Sequence, residues 1–349
     1  MKKIVKQVLG VDVAKKELVV CLGRMYDDFA LELYEHKTFA NTTRGFSALV
    51  LWVKKFTDES TVVRFVMEAT GVYHESLAYF LSDQDCEVSI VLPNKISNYI
   101  RTLEVKTITD KTASEAITRF GLERMLDKWQ KPKDVFKRLR QLTRERGQVV
   151  EERTAIKNQL HAEKIEAEPN KQSLKRINER IKLCDKQEKQ IIEEIAVLTR
   201  SDKQVGEVVK VICSIPGVGL LTAATVLAET NGFELIRNKK QLTSYAGFDI
   251  IEKTSGISVK GKTKISKKGN KYLRKAMHLP ALAAIKCDDR FKAIFIRLVS
   301  KHGIKMKATV AVQRKLLELM YVIFKTRVAY DKKYLEKLSV VEDEVMISG

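Results

Sequence analysis

Two carboxylates stand where a carboxylate is costly. Asp12 lies inside the apolar run Val8-Leu9-Gly10-Val11-Asp12-Val13, and Glu68 ends the run Val62-Val63-Arg64-Phe65-Val66-Met67, just before Gly71 breaks the strand pattern. An acid in such a setting destabilises the fold unless it gains a partner. A third acid, Asp110, follows Thr107-Ile108-Thr109 and opens a helical pattern, a position where it serves equally well as a helix cap. Three carboxylates delivered by three elements are hard oxygen donors. Such donors hold divalent cations for phosphoryl transfer, where two ions roughly 4 Å apart activate an attacking oxygen and stabilise the leaving one. Thr254-Ser255-Gly256-Ile257-Ser258 offers a different chemistry, hydroxyls set among lysines. Nearby cations would neutralise the charge formed when a serine attacks phosphorus. On residue type alone, a loop serine beside glycine is ordinarily inert.

The acids need elements to position them. Ile4 to Val13, Glu17 to Leu22 and Leu31 to Phe39 read as three strands joined by short turns, an antiparallel meander. Asn41-Thr42-Thr43 supplies cap-type residues to a helix whose apolar positions are Phe46, Leu49, Val50, Trp52, Val53 and Phe56. A strand from Val62 to Glu68, a helix from His74 to Leu81, a strand from Cys86 to Val91 and a helix from Asn94 to Leu103 follow. This β-β-β-α-β-α-β-α order is the RNase H-like arrangement, in which the first and fourth strands are neighbours. Asp12 would then lie beside Glu68.

Beyond Val135 the pattern changes to long helices. Leu174, Ile177, Ile181, Cys184, Glu188, Ile191, Ile195 and Leu198 step by three and four, a coiled-coil seam with Glu188 as its only polar position. An earlier stripe of Leu139, Leu142, Val149, Ile156 and Leu160 is interrupted by Arg146 and Arg153, and Glu168-Pro169-Asn170 marks a turn between the two. A helical hairpin follows from this, either a solvated spacer or a dimerisation element. After Val205, Ser214-Ile215-Pro216-Gly217-Val218-Gly219 precedes an alanine-rich helix, and resembles a helix-hairpin-helix turn in which Gly217 and Gly219 let backbone amides approach a phosphate. Next comes the most basic stretch, with Lys260, Lys262, Lys264, Lys267, Lys268 and Lys271, and with no acid from Lys253 to Lys275. Helices from Lys271 to Ile285, Arg290 to Lys301 and Val310 to Phe324 would close a second core. Glu342-Asp343-Glu344 reads as a disordered tail.

The 349 residues exceed the usual size of one domain, and the formal net charge of +20 calls for a polyanion, most commonly nucleic acid. Charge alone leaves ribosomal and membrane-surface roles open. Five cysteines without a CxxC pair argue against a zinc knuckle and against a disulfide framework. No apolar run reaches the roughly 18 residues of a membrane span, and no signal-type core follows the basic start. A soluble, cytoplasmic, nucleoid-associated protein is expected.

Five segments fall in one order along nearly the whole chain: Gly10-Val11-Asp12-Val13-Ala14-Lys15, Glu68-Ala69-Thr70-Gly71-Val72-Tyr73, Thr109-Asp110-Lys111, Ser214 to Gly219, and Thr254-Ser255-Gly256 through Ile265-Ser266-Lys267-Lys268-Gly269-Asn270. Together they resemble the DEDD transposases of insertion sequence family 110. The resemblance implies a RuvC-like domain over 1–130, a coiled-coil hairpin over 131–204, a mainly helical C-terminal transposase domain over 205–335 and a tail over 336–349. It also implies that Asp12, Glu68 and Asp110 bind magnesium and that Ser255 is the nucleophile. Donor and target DNA would be recombined under a structured bridge RNA by a homo-oligomer, a dimer or tetramer, whose subunits share acids and serine. Base pairing with the RNA would then give specificity, and the basic surface a strongly salt-dependent affinity.

One position departs from the family pattern. A fourth aspartate is expected three residues after the third, where this chain has Ala113. Either three acids suffice, or Ser114 or Glu115 with water completes the site, or the enzyme is impaired. Helical geometry turns Glu115 away from the face of Asp110. Two rivals follow: a junction-resolving nuclease that uses water, and an inactive nucleic-acid-binding scaffold.

Overall fold

The computed structural model describes residues 2–69, 71–103, 107–234, 236–252, 254–255, 259–261 and 263–332. Lys262 and the tail from 336 lie outside them. The chain divides into two compact units, residues 1–131 and 132–349.

The first unit runs β1 (Ile4–Val13), β2 (Glu17–Tyr26), β3 (Leu31–Ala40), α1 (Thr43–Phe56), β4 (Val63–Glu68), α2 (Glu75–Ser82), β5 (Glu87–Val91), α3 (Pro93–Ile100) and α4 (Asp110–Glu123). Its sheet has the order β3-β2-β1-β4-β5, antiparallel within the meander and parallel from β1 to β4 to β5. This is the RNase H-like arrangement expected from the element order. β2 continues past Leu22 to Tyr26 because it has partners on both sides; Arg24 faces Glu32 of β3 and its Nε donates to that carboxylate at 2.8 Å.

Strand alternation sorts the side chains onto two faces. Leu9, Val11, Phe65 and Met67 join the core that includes Phe46, Leu49 and Val53 of α1 and Leu77 and Leu81 of α2. Val8 and Val66 join the opposite core with Val91, with Ile96 of α3 and with Ile117 and Leu122 of α4. By the same alternation Gly10 and Asp12 follow Val8, and Glu68 follows Val66, on the α4 face.

The second unit opens with two long helices, α5 (Asp134–Ile165) and α6 (Lys171–Ser201). The Asn170 side chain caps α6 by accepting from the amides of Gln172 and Ser173. Val149 and Ile156 of α5 and Ile177, Cys184, Ile191 and Ile195 of α6 are buried in one seam. The arginines that interrupt the α5 stripe meet the one polar position of the α6 seam, Glu188. Arg146 donates to Glu188 at 2.6 Å, and Arg153 donates both to Glu188 and, at 2.7 Å, to Asp185. A single register pairs two guanidiniums with one buried carboxylate, which fixes how the helices align.

Then follow α7 (Lys203–Ile212), α8 (Leu220–Glu229), α9 (Lys239–Tyr245), β6 (Ile250–Ile251), β7 (Thr254–Ser255), β8 (Val259–Lys260), β9 (Lys264–Ile265), α10 (Lys271–Ala276), α11 (His278–Cys287), α12 (Asp289–His302) and α13 (Lys305–Thr326). The helix expected from Lys271 to Ile285 is divided at Met277. Pro280 lacks the amide that would bond the Ala276 carbonyl and its ring would strike that carbonyl, so the helix restarts. One core joins Phe136, Leu139 and Ile195 of the hairpin to Leu227, Phe233, Leu273 and Leu316. All five cysteines are unpaired, and no helix among the described residues is long and apolar enough to cross a membrane.

Replacing Glu188 with alanine should leave Arg146 and Arg153 facing the seam without their shared carboxylate and lower stability by about 2 kcal/mol. Urea unfolding of the variant measures the loss, and an unchanged midpoint would sink this account of the seam.

Candidate active site

Parallel pairing sets the first two acids side by side. Gly10 is in register with Val66 and Val11 with Met67, so the next step places Asp12 beside Glu68, and Glu68 is itself in register with Val91. Both acids therefore sit at the carboxyl ends of adjacent parallel strands. The third arrives on α4, which packs directly on β1. A Cβ at Gly10 would come within 2.3 Å of Thr118 Oγ1 and 2.6 Å of the Ser114 carbonyl, and one at Gly121 within 2.7 Å of Val8 Cγ1. As α4 is followed toward its N-terminus, its contacts move up β1 from Val8 to Gly10. The helix thus runs antiparallel to the strand and opens toward Asp12.

Asp110 is not needed as the cap of α4. Thr109 fills that role: its hydroxyl accepts from the Thr112 amide, while Thr112 Oγ1 accepts from the Thr109 amide at 2.8 Å. Asp110 is the first residue inside the helix, exposed, where a negative charge also suits the helix dipole. Asp12 registers its neighbours electrostatically. Burial, then the charge of Asp110, then that of Glu68 push its carboxyl up to about 6.

The fourth position is empty of oxygen. Ala113 is half-buried, and the Ser114 hydroxyl is turned to its own helix, donating to the Lys111 carbonyl at 2.7 Å. Glu115 Oε1 lies 2.9 Å from Nε2 of His36 on β3, a contact that is an ion pair when the imidazole is protonated. Neither replaces an aspartate at 113. Among the described residues no three His, Cys, Asp or Glu side chains gather closely enough to hold a metal ion. The donor chemistry of Asp12, Glu68 and Asp110 nevertheless fits a hard divalent cation, which would relieve the repulsion that raises Asp12.

In the second unit Ser255 lies on a nested ribbon. The outer pair is β6 with β9, Ile250 opposite Ile265, and the inner pair is β7 with β8, Ser255 opposite Val259. The base of this arm is pinched. A Cβ at Gly269 would meet the Tyr245 carbonyl at 2.5 Å and the Gly247 amide at 2.6 Å, and the Asn270 amide donates to the Tyr245 carbonyl. Asn270 Nδ2 also donates to Glu229 Oε2 at 2.7 Å, and buried Glu229 takes a two-pronged ion pair from Arg144 of α5, at 2.8 and 2.9 Å. Sequence reasoning missed Glu229 and Arg144. The signal was there in part, since Glu229 is the only charged residue in the run Leu220–Glu229.

The lysines of the basic stretch divide. Lys264, Lys267 and Lys268 are exposed, Lys271 is exposed with its Nζ over the Tyr272 ring, and Lys260 belongs to β8. Lys275, by contrast, pairs with Glu151, and Arg274 donates to the Ala246 carbonyl. The two glycines of the α7–α8 turn also differ. Gly217 has φ of +83° and lies against α11, where a Cβ would be 2.7 Å from the Pro280 carbonyl, so close packing accounts for it. Gly219 precedes α8 with open space around it.

Residues 9–163 match a family model for DEDD transposases of IS110 type, and residues 209–295 match the transposase family IS116/IS110/IS902. The chain belongs to the IS110 transposase family. This transposase is 26% identical over 332 residues to a pilin gene-inverting protein of Moraxella bovis, covering 95% of this chain and 99% of that one. It is equally similar to the protein of the same name from Moraxella lacunata. An IS110 insertion-element protein of Streptomyces coelicolor is 27% identical over 123 residues, 35% of this chain and 30% of that one. Among solved structures, RuvC of Thermus thermophilus aligns with 35% of this chain and 99% of its own, at 11% identity and a TM-score of 0.28.

The raised Asp12 carboxyl sets a pH dependence. In the metal-free transposase the native state holds this proton up to about pH 6, whereas the unfolded chain loses it near the usual 3.8. Stability from this group therefore falls as pH rises between those values. Because the carboxyl is partly exposed and its charge partly screened, Asp12→Asn should gain only about 1 kcal/mol at pH 7 over the wild type and nothing near pH 3.5, read from urea unfolding at both pH values.

Proposed function

We propose that this transposase cuts and rejoins donor and target DNA by attack of Ser255 on a phosphodiester, with Asp12, Glu68 and Asp110 holding magnesium and a structured bridge RNA choosing the sites. What supports the reading above all is strand register: Asp12 and Glu68 end the adjacent parallel strands β1 and β4, and α4, which begins at Asp110, packs on β1 with its N-terminus toward that end. Acids placed so are destabilising to an isolated fold and useful to a phosphoryl-transfer centre. Magnesium there would supply Lewis-acid activation of the phosphate and charge for the leaving oxygen.

The serine step conserves bonds. Ser255 Oγ forms a bond to phosphorus as its proton departs, the P–O bond to one DNA oxygen breaks, and that oxygen leaves as a hydroxyl. Attack by another DNA hydroxyl reverses the step and rejoins a new pair of ends without an external energy source. Similarity over nearly full length to proteins named for gene inversion supports such cutting and rejoining. Exposed Lys264, Lys267 and Lys268 near the ribbon, together with Lys260, Lys262 and Lys271, would bind phosphates, and Gly219 would offer amides at the start of α8. The acids and the serine come together in a homo-oligomer, a dimer or tetramer.

A second reading is favoured by Ala113 and by the pairing of Glu115 with His36: a scaffold that binds nucleic acid without cutting it. Incubating the protein with its flanking-element RNA, labelled donor DNA and magnesium separates the cases on a denaturing gel. A protein–DNA adduct should form, vanish in Ser255→Ala and drop at least about 100-fold in Asp12→Ala and Glu68→Ala. Cleavage that survives Ser255→Ala would instead identify a water-using nuclease, and tight binding with no product would identify the scaffold.

A further inference from the structure

The edge that carries the acids is also unusually apolar. Val72 and Tyr73 follow Glu68 by four and five residues, Leu92 follows Val91 of β5, and Ile108 stands two residues before Asp110; their exposures are 68%, 42%, 58% and 67%. Scattered exposed apolar residues need no explanation, but four on the loops that frame one polar site do. Lys15, two residues after β1, and Lys111, beside Asp110, are exposed at the same edge and unpaired with any acid among the described residues.

Tyr73 is held by its backbone and left open at its ring. Asn41 Nδ2 donates to the Tyr73 carbonyl at 3.2 Å and to the Ala14 carbonyl at 2.9 Å, tying the loop after β4 to the loop after β1. The Val72 carbonyl accepts from the Glu75 amide at the start of α2. The Tyr73 hydroxyl has no hydrogen-bond partner among the described residues. An aromatic ring on a fixed backbone, at an edge that also carries exposed apolar side chains and lysines, is the combination by which proteins take up unpaired nucleic acid: cations follow the backbone and rings stack on bases.

Resting on the reading that this edge acts on DNA, we propose that Tyr73, on the loops of the edge it shares with Val72, Leu92 and Ile108, is the stacking platform for an unpaired base next to the phosphodiester at the Asp12–Glu68–Asp110 edge. The platform holds the strand out of its duplex so that the phosphate reaches the carboxylates. It recognises the face of a base and is indifferent to sequence, leaving selection to pairing elsewhere.

The test is a coupling measurement on the full chain with an immobile four-way DNA junction, in EDTA so that metal-dependent cleavage cannot run. Abasic sites are introduced singly at the nucleotides flanking the branch point and affinity is read by fluorescence anisotropy. With the wild type, one abasic position should weaken binding roughly ten-fold. Tyr73→Ala should lose a similar factor on the intact junction and nothing more on that abasic one, while Tyr73→Phe, which keeps the ring, should match the wild type. Unchanged thermal melting of the variants checks their folding. An abasic penalty that persists in full in Tyr73→Ala, or no penalty in the wild type despite tight binding, overturns the platform alone. Failure of the wild type to bind the junction overturns it together with the reading of this edge as a DNA site. Coupling seen with an all-RNA junction and absent with DNA overturns the assignment to DNA.

Discussion

The first unit depends on the approach of α4 to β1 at Gly10. With no side chain at 10 and none at 121, the helix backbone settles onto the strand, and Thr118 Oγ1 reaches the Cys21 carbonyl of β2 at 2.9 Å as well as its own Ser114 carbonyl. Everything at the acidic edge inherits from that contact. It decides that the helix lies flat enough for its first residue to look toward Asp12, and it sets Glu115 over β3, where His36 takes it up. A helix held further off would leave Asp110 without influence on Asp12.

The second unit solves a comparable positioning problem with charge. A short ribbon has little apolar surface of its own to order it, so its base is fastened through Asn270 to Glu229, and Glu229 to Arg144. Tyr272 lies 4.4 Å from the Arg144 guanidinium and the Tyr245 hydroxyl donates to the Glu229 carbonyl, so α5, α8, α9 and α10 all meet at one buried acid. A buried carboxylate is tolerable only when its hydrogen bonds are met so fully. The same logic governs Glu188, where two arginines of α5 converge on one acid of α6. In both places a polar group in an apolar setting gives alignment, which apolar packing alone specifies loosely.

Ala113 marks the point at which this chain departs from its family's pattern, and the surroundings do not restore the missing oxygen. Ser114 is sealed against its own helix and Glu115 serves a neighbouring strand. What remains at the edge is a three-acid constellation with an apolar, lysine-bearing frame. On the proposed reading, three acids would carry the chemistry and the exposed loops would present the DNA strand to them.

Much of this was legible in the sequence because local patterns carried it. The strand and helix order through Leu103, the hairpin turn at Glu168-Pro169-Asn170 and the two strand-borne acids all follow from periodicity, turn residues and the cost of a carboxylate among apolar neighbours. The adjacency of the first and fourth strands followed from that order, while the register that sets Asp12 beside Glu68 came from the pairing itself. Other features were decided by tertiary structure. That Thr109 and not Asp110 caps α4, that Glu115 belongs to His36, that Arg146 and Arg153 complete the seam they interrupt, and that Glu229 anchors the ribbon are all pairings between residues distant in sequence or competing for one role. A sequence records that a charge exists and that burying it is costly; which partner removes that cost depends on distances that only the folded chain sets.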